Sequence, residues 1–269
     1  MKKILFPTDF SPAAQNAFEY AMKLAADLDA KVDLLSVYSL PFADSGSIPP
    51  EYINTMLEEK EKNVRKKLED FTQGFHNGNL GELITKYGIF VYQDVIDLAR
   101  EGNYDLIVMG TKGERSAFEK ILGSVTTHTM MNAPCPVLAV PKSSRYKTIE
   151  NIAYATDFVP KDQAAVQQLA KFAERLGAKI HFVHVETDPD LGRLEDYVEI
   201  EKYPFEFSDF TLLNEHSVVE GMDEFIDRKK IDVLALFIPK RSLWERLFHR
   251  SFTKQMTFHA KTPLLVFHE

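Results

Sequence analysis

Residues 3–40 read KILFPTDFSPAAQNAFEYAMKLAADLDAKVDLLSVYSL, and their apolar residues mark three elements in succession. The first apolar run, residues 4–7, is too short for a helix and ends at a proline, which predicts a strand. Ser11 then suits an N-cap and Pro12 a first helical turn, and the apolar residues after them recur at helical spacing. Residues 32–37 form a second short apolar run. This stretch therefore predicts a strand, an amphipathic helix and another strand.

The same pattern recurs in the second half of the chain. Residues 151–188 read NIAYATDFVPKDQAAVQQLAKFAERLGAKIHFVHVETD, and at a shift of 148 residues 4–31 match 152–179 at 12 of 28 positions without a gap. The ends of the two copies match at a shift of 127 instead, through the pairs Asp105–Asp232, Ser124–Ser251 and Pro136–Pro263. The chain therefore contains two copies of one fold, and the second lacks 148 − 127 = 21 residues in its middle.

The rest of the first copy continues the alternation of helices and strands. A long charged amphipathic segment covers residues 49–71, a weak strand 83–85 and a helix 91–101. Two short apolar strands follow at residues 106–109 and 137–140. Strands separated by helices pair in parallel through right-handed crossovers, and almost wholly apolar strands suit a sheet covered on both faces. The fold class predicted is α/β, with a doubly wound open parallel sheet in each copy.

The two copies predict two domains, residues 1–143 and 149–269, joined by a polar and basic linker at residues 142–148. The second copy has no room for the long charged helix of the first. Its corresponding segment, residues 188–204, is short and acidic, so we expect an irregular crossover or a small extra strand there.

Composition narrows the class of protein. Of the 269 residues, 45% are hydrophobic and 27% charged, and acidic residues outnumber Lys plus Arg by 40 to 32, a net charge of −8. This balance disfavours a general affinity for nucleic acid or anionic membranes. No apolar run approaches the ~20 residues of a membrane span, and the N-terminus lacks a secretory apolar core of about 7–15 residues. We therefore expect a cytoplasmic protein that binds neither nucleic acid nor membrane.

Candidate chemistry lies beyond the carboxyl ends of the strands, where ligands bind in doubly wound sheets. Pro7-Thr8-Asp9 follows the first strand, and the loop after Met109 carries Gly110, Gly113 and Gly123-Ser124. Glycines allow positive φ and a close approach of the backbone to a ligand, and a helix that starts at Gly123-Ser124 presents free N–H groups to an anion. The spacing is neither a Walker A loop nor a GxGxxG fingerprint. It leaves open a phosphate cradle or glycines that serve only turns and a helix cap.

These motifs together resemble the universal stress protein family, in its tandem two-domain form and over essentially the whole chain. The opening KILFPTDFS at 3–11 and the closing APCPVLAVP at 133–141 are typical of that family, and its nucleotide-binding members carry the spacing G-x2-G-x9-G-[ST] found here. The resemblance implies a Rossmann-like fold, as in adenine-nucleotide α-hydrolases, and ATP, with Mg²⁺, bound by the first copy. It places the adenosine against Pro7, Thr8, Asp9 and Val37. It places the ribose and phosphates against Met109, Gly110, Gly113, Gly123, Ser124, Val125 and Thr126.

The second copy departs from this pattern. Phe237, Lys240 and Arg250 stand where the three motif glycines stand in the first copy, and only Ser251 is kept. Side chains at these positions keep a triphosphate away from the backbone. We therefore expect the second copy to have lost ATP and to act as a degenerate structural or regulatory partner. The basic loop from Lys240 to Arg250 leaves open another anion site or a solvated or interface-forming loop.

The sequence thus favours an ATP-binding stress-response regulator without assigned catalytic residues. Two alternatives stay open: a slow ATPase or autophosphorylating enzyme, for which no acidic ligand or arginine finger can be assigned, and a nucleotide-free scaffold for an unknown protein partner. The resemblance further implies that domains pair through their last strands. Residues 137–140 would then lie beside 264–267, making an intramolecular pseudo-dimer that could pair again into a homodimer.

The remaining candidates are interpreted as structural. The eight histidines show no HExxH motif and no ligand cluster, so no metal site of the chain's own is predicted. His181 and His184, three apart on a predicted strand, face opposite sides. His128 is expected on the surface of the helix that starts at Gly123-Ser124. Cys135 is the only cysteine, so no intrachain disulfide is possible, and its place between two prolines predicts a small buried residue.

Overall fold

A computed structural model describes residues 1–40, 50–75, 78–111, 123–156, 163–186, 209–214, 218–238 and 261–268. Strands and helices alternate through these residues. The strands are β1 (Lys3–Pro7), β2 (Lys31–Tyr38), β3 (Leu80–Tyr87), β4 (Leu106–Gly110), β5 (Val137–Val140), β6 (Asn151–Ala155), β7 (Lys179–Glu186), β8 (Asp209–Asn214), β9 (Val233–Ile238) and β10 (Leu264–His268). The helices are α1 (Pro12–Leu28), α2 (Pro50–Phe71), α3 (Val91–Glu101), α4 (Ser124–Asn132), α5 (Gln163–Leu176) and α6 (Val218–Lys229).

All of these strands belong to one open sheet in the order β3-β2-β1-β4-β5-β10-β9-β6-β7-β8. Neighbouring strands run parallel except β5 and β10, which are antiparallel, with Leu138 opposite Leu265. Outward from that junction the first five and the last five strands follow the same order. The predicted α/β class and its largely parallel sheet are confirmed, and the two predicted last strands lie side by side.

The strands are apolar because both faces of the sheet are covered. In β1, Ile4 and Phe6 pack on one face with the helices α1 and α5, while Leu5 packs on the other face with α3, α4 and α6. This alternation follows from the two-residue period of a strand. The first face holds a single core to which both halves of the chain contribute, Phe18 from α1 and Phe172 from α5.

The first helix begins where the sequence predicts. Ser11 is its N-cap, and the Ser11 hydroxyl accepts a hydrogen bond from the Ala14 N–H at 3.2 Å. Pro12 occupies the first turn, where its missing N–H costs nothing. The helix ends at Leu28, followed by Asp29 in the left-handed region at φ 50°. The start of α1 is therefore held at the carboxyl end of β1.

One strand is longer than its pattern suggested. Leu80–Tyr87 forms β3, whereas only residues 83–85 were predicted to be extended. Because β3 is the edge strand of the sheet and is half-buried along most of its length, its apolar alternation is weak. The crossover segment 188–204 of the second copy lies outside the described residues.

The predicted linker, residues 142–148, connects β5 to β6 without regular structure and lies against α1. The side-chain amide of Asn16 donates to the Ser144 carbonyl oxygen at 2.8 Å. The rings of Tyr146 and Tyr20 meet edge to face, with centroids 4.8 Å apart. The link between the halves is therefore fastened to the first helix, while the proposed domain limits on either side of it stay predictions.

Candidate functional site

A cavity of about 470 Å³ opens at the carboxyl ends of β1, β2 and β4. The starts of α1 and α4 and one side of α2 complete its wall. In the sheet, β1 lies between β2 and β4, so the chain leaves β1 towards one side and returns on the other. A doubly wound sheet binds its ligands at such a switch point, and the volume lies within the range of about 300–1,000 Å³ for small-molecule sites.

The cavity gathers the residues that the sequence singled out, apart from one. Gly113 lies outside the described residues, within the segment 112–122. The other ten predicted residues all line the cavity: Pro7, Thr8, Asp9, Val37, Met109, Gly110, Gly123, Ser124, Val125 and Thr126.

The turn between β1 and α1 is held by its own side chains. Thr8 Oγ1 accepts from the Phe10 N–H and Asp9 Oδ1 from the Ser11 N–H, both at 3.0 Å. Phe10 lies at φ 62°, a conformation that costs a bulky residue energy, and the two flanking hydrogen bonds stabilise it. The Thr8 N–H donates to the Leu35 carbonyl oxygen at 2.9 Å. The turn is thereby tied to β2, with the exposed Asp9 carboxylate on the cavity wall.

The start of α4 presents backbone donors for which the described residues supply no acceptor. Gly123 is its N-cap and makes no side-chain cap, and the first helical hydrogen bond runs from the Thr127 N–H to the Gly123 carbonyl oxygen at 3.0 Å. The N–H groups of Ser124, Val125 and Thr126 precede that bond and have no carbonyl within the helix to accept them. Together with the positive end of the helix dipole they form a wall suited to an anion. The predicted helix start at Gly123-Ser124 is confirmed.

The reason for Gly110 differs from the predicted one. Its φ is not in the left-handed region, so of the two properties that glycine offers, positive φ and close approach of the backbone, only the second applies here. A Cβ at this position would lie 2.8 Å from the Ala13 carbonyl oxygen and 3.0 Å from the Ala13 carbonyl carbon. Glycine is needed because the first turn of α1 packs directly on the end of β4. The Thr126 hydroxyl then donates to the Gly110 carbonyl oxygen at 3.3 Å, which joins α4 to the same point.

The long helix α2 supplies lining residues that motif reasoning missed. Lys60, Val64 and Lys67 face the cavity from one side of this helix. Their spacing of four and three residues puts them on a single stripe. That spacing is visible in the sequence, where residues 49–71 were described only as a long charged amphipathic segment. Which side of α2 meets the cavity depends on the packing of Val64 and Leu68, which are 6% and 0% exposed.

The second half keeps the backbone bond from the end of its first strand to its second strand but loses the glycine. The Thr156 N–H donates to the Val183 carbonyl oxygen at 3.1 Å, as Thr8 does to Leu35. Phe237 stands at the position of Gly110 and packs partly buried against the core. Asp157, Lys240, Arg250 and Ser251 lie outside the described residues, as does the basic loop.

The other candidates occupy structural positions. His128 is exposed, donates from Nδ1 to the Ser124 carbonyl oxygen at 2.8 Å, and stacks on Tyr92. His181 Nε2 lies 3.0 Å from Asn151 Oδ1, and His184 Nδ1 lies 2.8 Å from the Thr156 carbonyl oxygen. The described part of the chain holds no group of three acidic, histidine or cysteine side chains placed to bind a metal.

Cys135 is buried as predicted, and burial raises the pKa of its thiol to about 12. A thiol with such a pKa is a poor nucleophile at neutral pH. None of the helices within the described ranges combines the length and apolar character needed to cross a bilayer.

Known proteins that are similar in sequence point to one family. The family model named "Universal stress protein family" matches residues 1–141. Universal stress protein MJ0531 of Methanocaldococcus jannaschii is 31% identical over 150 residues, which cover 54% of this chain and 84% of that protein. Universal stress protein Slr1230 of Synechocystis sp. is 26% identical over a match that covers 99% of this chain and 100% of its own.

Solved structures extend the likeness to the fold. A universal stress protein from Archaeoglobus fulgidus superimposes with a TM-score of 0.67 at 18% identity, over 98% of this chain and 97% of its own. A universal stress protein solved in complex with cAMP is 20% identical and covers 53% of this chain and 98% of its own, with a TM-score of 0.40. Because the family model spans more than half of the 269 residues and Slr1230 is matched end to end, the chain belongs to the universal stress protein family.

Proposed function

We propose that this chain is a cytoplasmic ATP-binding regulator that holds its nucleotide in the cavity at the ends of β1, β2 and β4. The observation that carries the proposal is the start of α4, where unbonded N–H groups and the helix dipole face a cavity of nucleotide size. The family resemblance and the matched glycine spacing support the same ligand. The cAMP complex of a relative supports nucleotide binding in general.

The lining divides into a part for the nucleoside and a part for the phosphates. Pro7, Thr8 and Val37 are half-buried and Asp9 is exposed along the wall on the side of β1 and β2, where apolar and polar groups suit an adenosine. The other wall carries the backbone donors of α4 and the Ser124 hydroxyl, while the Thr126 hydroxyl is engaged with the Gly110 carbonyl oxygen. Phosphate oxygens accept from both kinds of donor.

The residues present also fit a magnesium ion that arrives with the triphosphate. Mg²⁺ is usually held by one or two carboxylates together with substrate phosphates. Asp9 is the one carboxylate among the described lining residues. It would supply the protein ligand, and the phosphates would supply the rest.

The second half would act as a degenerate partner. Phe237 fills the position at which the first half needs glycine, which argues against a second nucleotide. The antiparallel pairing of β5 with β10 supports an intramolecular pseudo-dimer of residues 1–143 and 149–269. Bound ATP would regulate this unit only if it binds one conformation more tightly than another. Further pairing into a homodimer is part of the same proposal.

Calorimetric titration of the nucleotide-stripped chain with ATP and Mg²⁺ tests the proposal. We expect one site per chain and no measurable binding after Gly123→Arg, because the side chain blocks the start of α4. Gly78→Arg is the matched control, since Gly78 is exposed and a Cβ added there would meet no atom within 4 Å. Two nucleotides per chain would contradict the loss of the second site. No binding at all would favour the nucleotide-free scaffold.

A further inference from the structure

Two lysines of the helix α2, Lys60 and Lys67, line the cavity, and buried residues of the same helix hold it in place. Val64 and Leu68 are buried and fix the helix against the sheet. Lys60 and Lys67 flank Val64 on the side that lines the cavity, and both lysines are exposed. Their aliphatic stems can follow the helix surface while the ammonium groups stay in water. Lys67 Nζ lies 6.0 Å from the centre of the ring of Phe10, a residue in the turn between β1 and α1.

Neither lysine is neutralised by a described residue. Within the described ranges, Lys60 and Lys67 have no carboxylate oxygen within 4.0 Å, whereas Lys86 pairs with Asp94 at 3.3 Å. Glu61, one of the two acidic residues next to Lys60 in the chain, accepts from the Thr85 hydroxyl at 2.8 Å instead. Two uncompensated cations therefore face the cavity.

The charged side chains of the described cavity lining carry a net positive charge. Its described lining contains Asp9, Lys60 and Lys67 as the charged side chains, a net charge of +1 before the helix dipole is added. α2 packs on one face of the sheet through Leu68, and α4 packs on the other through Met130. An anion between the two helices would meet the N–H groups of α4 on one side and the lysines on the other. A ligand with several negative charges uses both walls, and a ligand with one charge needs only α4.

We propose that Lys60 and Lys67 are specificity-determining residues that make the cavity prefer a polyphosphate nucleotide, ATP or ADP, over AMP or a cyclic monophosphate. This inference rests on the proposed nucleotide site and adds the ligand class that the site selects. The lysines act as point charges on flexible stems, which suit phosphates without demanding one geometry.

The test compares four nucleotides on four forms of the full chain by calorimetric titration. The forms are the wild type, Lys60→Met/Lys67→Met, Lys60→Arg/Lys67→Arg and the control Lys62→Met/Lys66→Met. The control changes the same charge on the same helix, at exposed residues outside the cavity lining. Methionine keeps most of the stem, and thermal unfolding followed by circular dichroism verifies that each form is folded.

In the first variant we expect ATP affinity to fall about 10- to 100-fold, as for the loss of charge-assisted contacts, while AMP and cAMP change by less than about threefold. The control should leave all four affinities within about twofold. Lys60→Arg/Lys67→Arg should retain the preference, because it keeps both charges. Raising the salt concentration should weaken ATP binding more in the wild type than in the methionine variant.

The outcomes separate the two proposals. Equal ATP affinity in the wild type and Lys60→Met/Lys67→Met would overturn the role of the lysines and leave the nucleotide site intact. A wild type that binds cAMP as tightly as ATP would also overturn it. A wild type that binds none of ATP, ADP, AMP and cAMP would instead overturn the proposed function itself.

Discussion

Gly110 illustrates how one residue of a motif can serve a purpose that the motif does not reveal. The glycine spacing associates it with a bound phosphate, and it does line the cavity. Its immediate neighbour is nevertheless the backbone of Ala13, at the first turn of α1. The absence of a side chain lets a helix and a strand meet at the edge of the proposed site. Gly110 is therefore required by the fold, whatever it contributes to a ligand.

We expect Gly110→Ala to lower the free energy of unfolding by about 1–3 kcal/mol, as overpacking against backbone does. The added Cβ would lie too close to the Ala13 carbonyl group for either element to stay in place. Denaturant unfolding of the purified variant measures the change, with Gly78→Ala as the control because its Cβ would meet open space. Equal stability of the two variants would show that α1 can move aside at no cost.

In each copy of the repeat, an aspartate carboxylate accepts hydrogen bonds from the backbone where the first strand begins. Asp105 Oδ2 accepts from the N–H groups of Lys2 and Lys3 at 2.6 and 3.0 Å, where the chain enters β1. Asp232 Oδ2 makes the equivalent bonds at the start of β6, at 2.8 and 2.9 Å. The two aspartates correspond in the repeat at a shift of 127. This shared contact gives the match between them a physical reason, because each joins its fourth strand to its first.

Asp232→Asn should destabilise the chain more than Asp105→Asn. The Asp232 side chain is 5% exposed and also pairs with Lys147 at 2.6 Å, whereas Asp105 is exposed. Hydrogen bonds to a charged group contribute about 1.5–3 kcal/mol, and those in solvent contribute less. We expect a loss of about 2 kcal/mol for the first variant in denaturant unfolding at neutral pH. The reverse order of the two variants would be evidence against a strand anchor at Asp232.

The two halves are joined by more than a linker. Their strands form one sheet across the β5–β10 junction, and one face of that sheet has a core shared by α1 and α5. The Arg175 guanidinium of α5 donates to the Leu28 carbonyl oxygen at the end of α1. α1 also begins at the cavity and contacts residues 142–148 along its length. The helix α1 thus connects the proposed nucleotide site with the second half through direct packing.

A double-mutant cycle between Leu138 and Leu265 measures the coupling free energy of two side chains across the β5–β10 junction. The two side chains are fully buried and lie opposite one another in β5 and β10. Each single change to alanine should cost about 2–5 kcal/mol, and the pair should show a coupling of at least about 0.5 kcal/mol. Leu138→Ala with Leu34→Ala is the control pair, because Leu34 lies in β2, three strands from β5. Strict additivity would mean that these two side chains do not interact across the junction.

Local sequence patterns alone were sufficient to predict the helices and strands of the first copy and the repetition of the fold. Short apolar runs, capping residues and helical spacing depend on neighbours a few positions away. The helices α1 and α4 therefore begin where Ser11 and Gly123 predict, and β1 covers the predicted run of residues 4–7. The duplicated strand order follows from the duplicated sequence. The collection of ten predicted residues around one cavity follows from the topology of a doubly wound sheet, in which strand ends meet at one edge. β3 was underestimated because an edge strand buries too little to show a clear alternation.

Contacts between distant segments could not be inferred in this way. Periodicity records that a residue is buried or exposed, but it does not record which segment lies against it. The Ala13 carbonyl that excludes a side chain at residue 110 is supplied by another element, and so is the cavity that Lys60 and Lys67 face. The single core shared by α1 and α5 likewise depends on how the two copies pack. The chain's own pattern determined its elements and their order, and three-dimensional packing determined what each element touches.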